Sequence, residues 1–200
     1  MDRLIIFAFT ILLGALWLLT RWSDEVERGP GVLVRQSPIQ ENYRKEAPPV
    51  IIGNWKLKPM AIYQIEARVL EVEDYDSADV DELVPFDFLL GWGPMSDSAL
   101  IDKLELGISN RYATWRYWGE APASLKTISE HASNHHLVPA DPQVRERLEE
   151  VRAGHIVTMR GELVNIQSTT GEEAFRSSLT RTDSGPGACE VMLVRSISIR

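Results

Sequence analysis

Cysteine is nearly absent from this chain: Cys189 stands alone, which excludes an internal disulfide and a Cys-rich zinc site. It also excludes a lipoprotein-type cysteine after the first apolar run. Positive charge is scarce, with 21 Lys and Arg against 29 Asp and Glu and a net charge of −8. Asp2, Arg3 and Arg21 together contribute +1, so residues 22–200 carry −9. Affinity for a phosphate backbone rests on Lys and Arg, so no nucleic-acid partner is expected. Internal repeats are missing. No G-x-S-x-G elbow or S-x-x-K pair accompanies the hydroxyl-rich stretch 177–183, which removes the familiar settings of a serine nucleophile.

What the chain does have is an apolar beginning. Residues 4–19 are apolar apart from Thr10 and Gly14. Residues 4–20 would span roughly 25 Å as a helix, near the lower limit for a hydrocarbon core. Trp17 and Trp22 suit the interfacial belt, and Arg21 can extend towards lipid phosphates. A cleaved signal peptide would need a small-x-small pair next, where Leu18, Leu19, Arg21 and Trp22 stand instead. Residues 1–22 therefore read as an uncleaved transmembrane anchor with the bilayer as partner. Arg21, Arg28 and Arg35 outnumber Arg3 and would place the large domain inside by charge count. The two-residue polar head argues the other way. The expectation is an inner-membrane, single-pass protein with an extracytoplasmic domain.

Residues 23–49 read as a linker, with Gly29-Pro30-Gly31, Pro38, Pro48 and Pro49 opposing regular structure. The soluble domain is expected over 50–200, long enough for a real core. Tyr63, Ile65, Ala67 and Val69 alternate with Gln64, Glu66 and Arg68, which predicts a strand. Further strands are expected over 86–92, 156–166, 177–182, 188–194 and 196–199, with Gly161 marking a bulge or sharp curvature. Ser109-Asn110 reads as a hairpin turn, and Ser96 or Asp97 as the cap of a short helix. Helices are predicted over 124–136 and from Asp141-Pro142, where an N-cap precedes a proline at the first helical position, to Gly154.

Strands, two helices, then strands make an α+β domain with a mostly antiparallel sheet. The pattern resembles an OB-fold, a small and partly open barrel, here with a two-helix insertion. An unrelated α+β sandwich fits the same order.

Two constellations carry the functional expectations. Arg111, Trp115, Arg116 and Tyr117 lie in the densest aromatic segment, 111–118, where rings and guanidinium groups can stack on a protein or an envelope glycan. In a strand, Trp115 and Tyr117 share one face while Tyr112 and Trp118 share the other, so one set must point away from a one-sided core. His131 and His135 are four apart on the predicted helix and would share a face towards one metal, zinc in the first instance. Glu130 precedes the first histidine, so the order departs from H-E-x-x-H, and a third ligand would have to come from elsewhere, such as Asp141 or His155. The eight carboxylates between Glu71 and Asp87 read as a solvated loop. Their calcium reading through Asp74, Asp76, Asp79 and Asp81 lacks the alternation and glycine of an EF-hand. Cys189 reads as a small apolar strand residue. The expectation is a membrane-anchored binding or interaction module with no cofactor and no catalytic residue; the alternative is a membrane-anchored metal-dependent hydrolase using the His pair.

Overall fold

The computed structural model describes residues 25–77, 80–180, 183 and 187–200. The expected anchor lies outside them. No helix among the described residues is long and apolar enough to cross a membrane.

The described residues form ten strands and four short helices. Strands β1 (Ile39–Asn42) and β2 (Val50–Ile52) lead into the long β3 (Trp55–Asp74). Helix α1 (Val80–Leu83), β4 (Phe86–Gly91) and a 3-10 turn (Gly93–Ser96) follow. Next come α2 (Ser98–Ile101), the hairpin β5 (Glu105–Ser109) and β6 (Tyr112–Arg116), and α3 (Leu125–His131). The remainder is β7 (Ala132–Pro139), α4 (Pro142–Glu149), β8 (Ile156–Ser168), β9 (Glu173–Phe175) and β10 (Glu190–Ile199). The domain is a sheet-rich α+β fold with mostly antiparallel strands.

Five strands close on themselves. The order is β3-β4-β7-β10-β8, and β8 returns to pair with β3. Only β7 and β10 run parallel. Closure depends on the length of β3, which pairs with β8 from Trp55 to Arg68 and with β4 from Arg68 to Asp74. The period-two alternation of β3 aims Tyr63, Ile65, Ala67 and Val69 into the barrel, where they meet Phe88, Leu137, Met159 and Met192. Val144 and Leu148 of α4, with Val151 after it, join the same cluster. Gly161 lies where β8 and β10 cross closely: a Cβ there would sit 1.9 Å from the Leu193 carbonyl oxygen.

Two outer clusters cover the barrel. One packs Leu57, Val138, Val164, Val191 and Leu193 under Leu83, Val84 and Phe175. The other packs Leu89, Met95 and Ile128 under the hairpin residues Leu106, Ile108, Ala113 and Trp115. A polar seam runs between them and is described below.

Several expectations need correction. The linker predicted over 23–49 is, from residue 25 on, part of the folded body. Val26 N donates to Ala153 O at 2.8 Å, and Gly93 N donates to Val34 O at 2.7 Å. Ser96 Oγ accepts from Leu33 N and Val34 N, and Arg28 Nη2 reaches Arg200 O at 2.7 Å. β1 then pairs with β3. The helix predicted over 124–136 stops at His131, because 132–139 is needed as the strand joining β4 to β10. A helix there would leave both neighbouring edges without partners. The two helices α3 and α4 therefore flank β7 and do not form a joint insertion. The strand predicted over 177–182 is irregular through residue 180: Ser177 Oγ donates to Ser178 O and Thr180 N donates to Ser178 Oγ, so local hydroxyl bonds replace a ladder. Strand β9, earlier in the chain, pairs with the C-terminal part of β8.

Candidate functional site

Asp87 anchors the seam. It sits in the middle of Phe86-Asp87-Phe88, facing out from the barrel wall, and its side chain is 0% exposed. A buried carboxylate is tolerated only with partners. Asp87 has four: Oδ1 accepts from Arg111 Nη1 at 2.9 Å and from His136 Nδ1 at 2.7 Å. Oδ2 accepts from the Tyr75 hydroxyl and from Asn134 Nδ2, each at 3.3 Å. Burial first, and then the Asp87 charge, push the Tyr75 phenol well above its ordinary value.

Arg111 reaches this carboxylate from the tip of the hairpin. Ser109 pairs with Tyr112, so the turn is the two-residue Asn110-Arg111, with φ of 49° and 65°. Positive φ at both positions matches the right-handed twist of a hairpin, but costs an arginine about 1 kcal/mol or more. The side chain is what holds it there. Besides Asp87, Arg111 Nη2 bonds Asp81 Oδ1 at 2.7 Å and Val84 O at 3.0 Å, and the guanidinium lies 3.7 Å from the Tyr75 ring centroid. Bonds from Ser77 and then Arg111 hold the Asp81 carboxyl below its usual value. Asn134 Nδ2 adds a bond to Arg111 O at 2.9 Å. The hairpin is thereby clamped over β4 and β7. Part of the acidic stretch expected to be solvated serves this clamp.

Beside the clamp lies a cavity of about 280 Å³. Its floor is β4 and β7, through Leu89, Ala132, Ser133 and Asn134. Tyr112, Ala113 and Trp115 of β6 form one wall; Thr180, Asp183, Ala188, Cys189 and Glu190 form the other. Trp92, buried after β4, completes it. Among the described residues, two carboxylates and no Lys, Arg or His line this space. Glu190 accepts from Ser133 Oγ, and Asp183 accepts from Ser178 Oγ at 2.6 Å. Burial, reinforced by Glu190 and Asp87, pushes the Cys189 thiol up to about 12, so it is a poor nucleophile at neutral pH.

The four residues expected to form one aromatic surface are divided by the structure. Arg111 turns inward to the clamp. Trp115 is half-buried, packs on the outer cluster and lines the cavity. Arg116 and Tyr117 are exposed, as is Trp118 at 76%. Tyr112, Thr114 and Arg116 are the exposed positions of β6.

His131 and His135 do not share a helix face. His131 ends α3, and its Nδ1 lies 2.8 Å from Thr127 O. His135 is on β7 and turns into the barrel, with Nε2 3.0 Å from the Tyr63 hydroxyl and Nδ1 3.2 Å from Ser133 O. Among the described residues, no group of three or more His, Cys, Asp or Glu could hold a metal ion.

Asp87, Asn134 and Glu190 were not singled out by sequence reasoning. A charge inside the apolar run 86–92 was the available signal for Asp87, since an acid there must be compensated or exposed. In comparisons with known proteins, the chain matches no protein family, no curated protein and no solved structure.

Proposed function

We propose that this protein is a single-pass, membrane-anchored binding module of a bacterial-type cell envelope. On this reading, residues 4–20 hold it to the inner membrane and the barrel captures a partner outside the cytoplasm. The cavity walled by the clamped hairpin is the observation that carries the reading. The ring order first-second-third-fifth-fourth supports an OB-like barrel, with one parallel pair and α4 between its third and fourth strands. In OB-like barrels the face of the second and third strands, with the loop between the fourth and fifth, is where ligands bind. Here those elements are β4, β7 and the segment before β10, and they surround the cavity. Fold likeness alone does not assign a ligand. The rings of Tyr112 and Trp115 favour contact surface over chemistry, and Cys189 is protonated at neutral pH.

A photo-crosslinking residue placed at Tyr112, which is half exposed on the cavity wall, tests this in cells. The expected result is a discrete adduct in the membrane fraction, absent when the same group replaces the exposed Ile51 on β2. The same adduct pattern at both positions, or none at Tyr112, refutes it. A C-terminal reporter active only in the cytoplasm refutes the orientation.

A further inference from the structure

Trp118 is the most exposed large apolar side chain among the described residues, at 76%. Tyr117 beside it is 37% exposed, and Leu125 is 62% exposed. The three sit on the irregular loop 117–124 and the first residue of α3. Singly exposed apolar residues are ordinary, but an aromatic pair and a leucine gathered on one short stretch mark a contact surface. The path of the chain fixes where that stretch lies. Val26 N donates to Ala153 O, and Arg28 O accepts from Ser98 Oγ at the start of α2. Just past α2, Leu104 N donates to Ile101 O, and the next residue, Glu105, pairs with Arg116. Tyr117 and Trp118 follow directly. The apolar loop therefore hangs at the open end of the hairpin, on the side where the chain enters the barrel.

We infer that Tyr117, Trp118 and Leu125 dip into the headgroup layer of the bilayer, so that the barrel docks on lipid by its entry side. This rests on the anchor reading above, with residues 4–20 in the membrane. Five residue steps separate Thr20 from Glu25, the first described residue, and they reach at most about 18 Å. A body tethered so closely turns its entry side to the lipid. The tether also holds the loop at a high effective concentration, so even a weak contact is occupied. Tryptophan and tyrosine suit that layer, each having an apolar body and a polar tip. Residues 22–200 carry −9, so attraction to anionic lipid is not the source of the contact. Arg116, Glu120 and Lys126 are exposed beside the apolar groups and can meet both charges of a zwitterionic headgroup.

The test places the full-length protein, labelled with 5-fluorotryptophan, in phosphatidylcholine nanodiscs. The fluorine resonances of Trp17, Trp22, Trp55 and Trp118 are assigned by replacing each residue with Phe. Two relaxation agents are compared: phosphatidylcholine spin-labelled near the top of its acyl chain, and a water-soluble gadolinium chelate. Trp55 is the reference, because it lies roughly 40 Å along β3 from Arg68, whose Nη1 donates to Ser98 Oγ at the entry side. The labelled lipid should broaden Trp118 several-fold more than Trp55. The chelate should broaden Trp55 more than Trp118, the reverse of their exposures in the fold. Leu125→Ser should weaken the lipid effect on Trp118 several-fold at an unchanged melting temperature, and an undiminished effect overturns the patch as drawn. Trp118 open to the chelate and untouched by the lipid, while Trp17 and Trp22 respond to lipid, overturns this inference and leaves the anchor standing. Trp118 shielded from both agents means a protein contact and overturns it too. No lipid effect on Trp17 or Trp22 overturns the anchor reading and this inference with it.

Discussion

Replacing Arg111 separates two opposing contributions at the hairpin tip. Arg111→Ala removes both ion pairs and the bond to Val84 O, and leaves the fully buried Asp87 carboxylate with three donors. Breaking a buried pair in this way costs about 3–5 kcal/mol. Arg111 is 18% exposed, so the lower end of that range, about 3 kcal/mol, applies. Alanine keeps the strain of a φ of 65°. Arg111→Gly loses the same bonds but relieves that strain, worth about 1 kcal/mol. Glycine should therefore be the milder change, by about 1 kcal/mol. Urea denaturation followed by tryptophan emission reads both variants. For a domain of this size the alanine variant should melt about 6–12 °C lower than the parent. An alanine variant within about 1 kcal/mol of the parent would show that the clamp is not holding the hairpin. A glycine variant no better than alanine would show that the turn is unstrained.

Gly161→Ala should prevent barrel closure, because the added methyl meets the Leu193 carbonyl at 1.9 Å and backbone cannot step aside; loss of the cooperative melting transition is the expected readout. Asp97 caps α2, and bonds from Gly31 N and Ala99 N lower its pKa below the ordinary value. A depressed folded value means its contribution is complete above the unfolded pKa and fades as pH falls through the folded one. The stability difference between parent and Asp97→Asn should therefore shrink on acidification below about pH 4. Cys189 should alkylate slowly: with its thiol near 12 against an ordinary 9.0, native protein at pH 8 should react about 10³-fold more slowly with iodoacetamide than protein in urea.

The parts of this fold legible in the sequence are those set by local chemistry. The alternation from Tyr63 to Val69 marks β3 without reference to anything else, and Asp141 caps α4 by accepting from Val144 N at 2.9 Å. The hairpin turn falls one residue from its expected place, on Asn110-Arg111. What was not legible depends on neighbours. Ser133 to Val138 carries apolar and polar residues without a clean period, because β7 is buried on both faces between β4 and β10. Helical spacing of His131 and His135 was thus a coincidence of number. The role of Arg111 was hidden for the same reason: its partners Asp81 and Asp87 lie up to 30 positions away and meet it only after the barrel forms.

The bond from Arg28 to Arg200 spans 172 positions, and Ile156 and Arg200 exchange backbone bonds at 2.9 and 2.8 Å beside it. Strand β10 supplies the final stave of the ring, so during synthesis β7 and β8 must wait with bare edges until β10, which follows both in the chain, has emerged. Such late, distant pairing makes for slow folding and a sticky precursor. Nascent chains should accordingly lean on holding chaperones, and shortening β10 by a few residues should yield aggregates before it yields a weaker barrel.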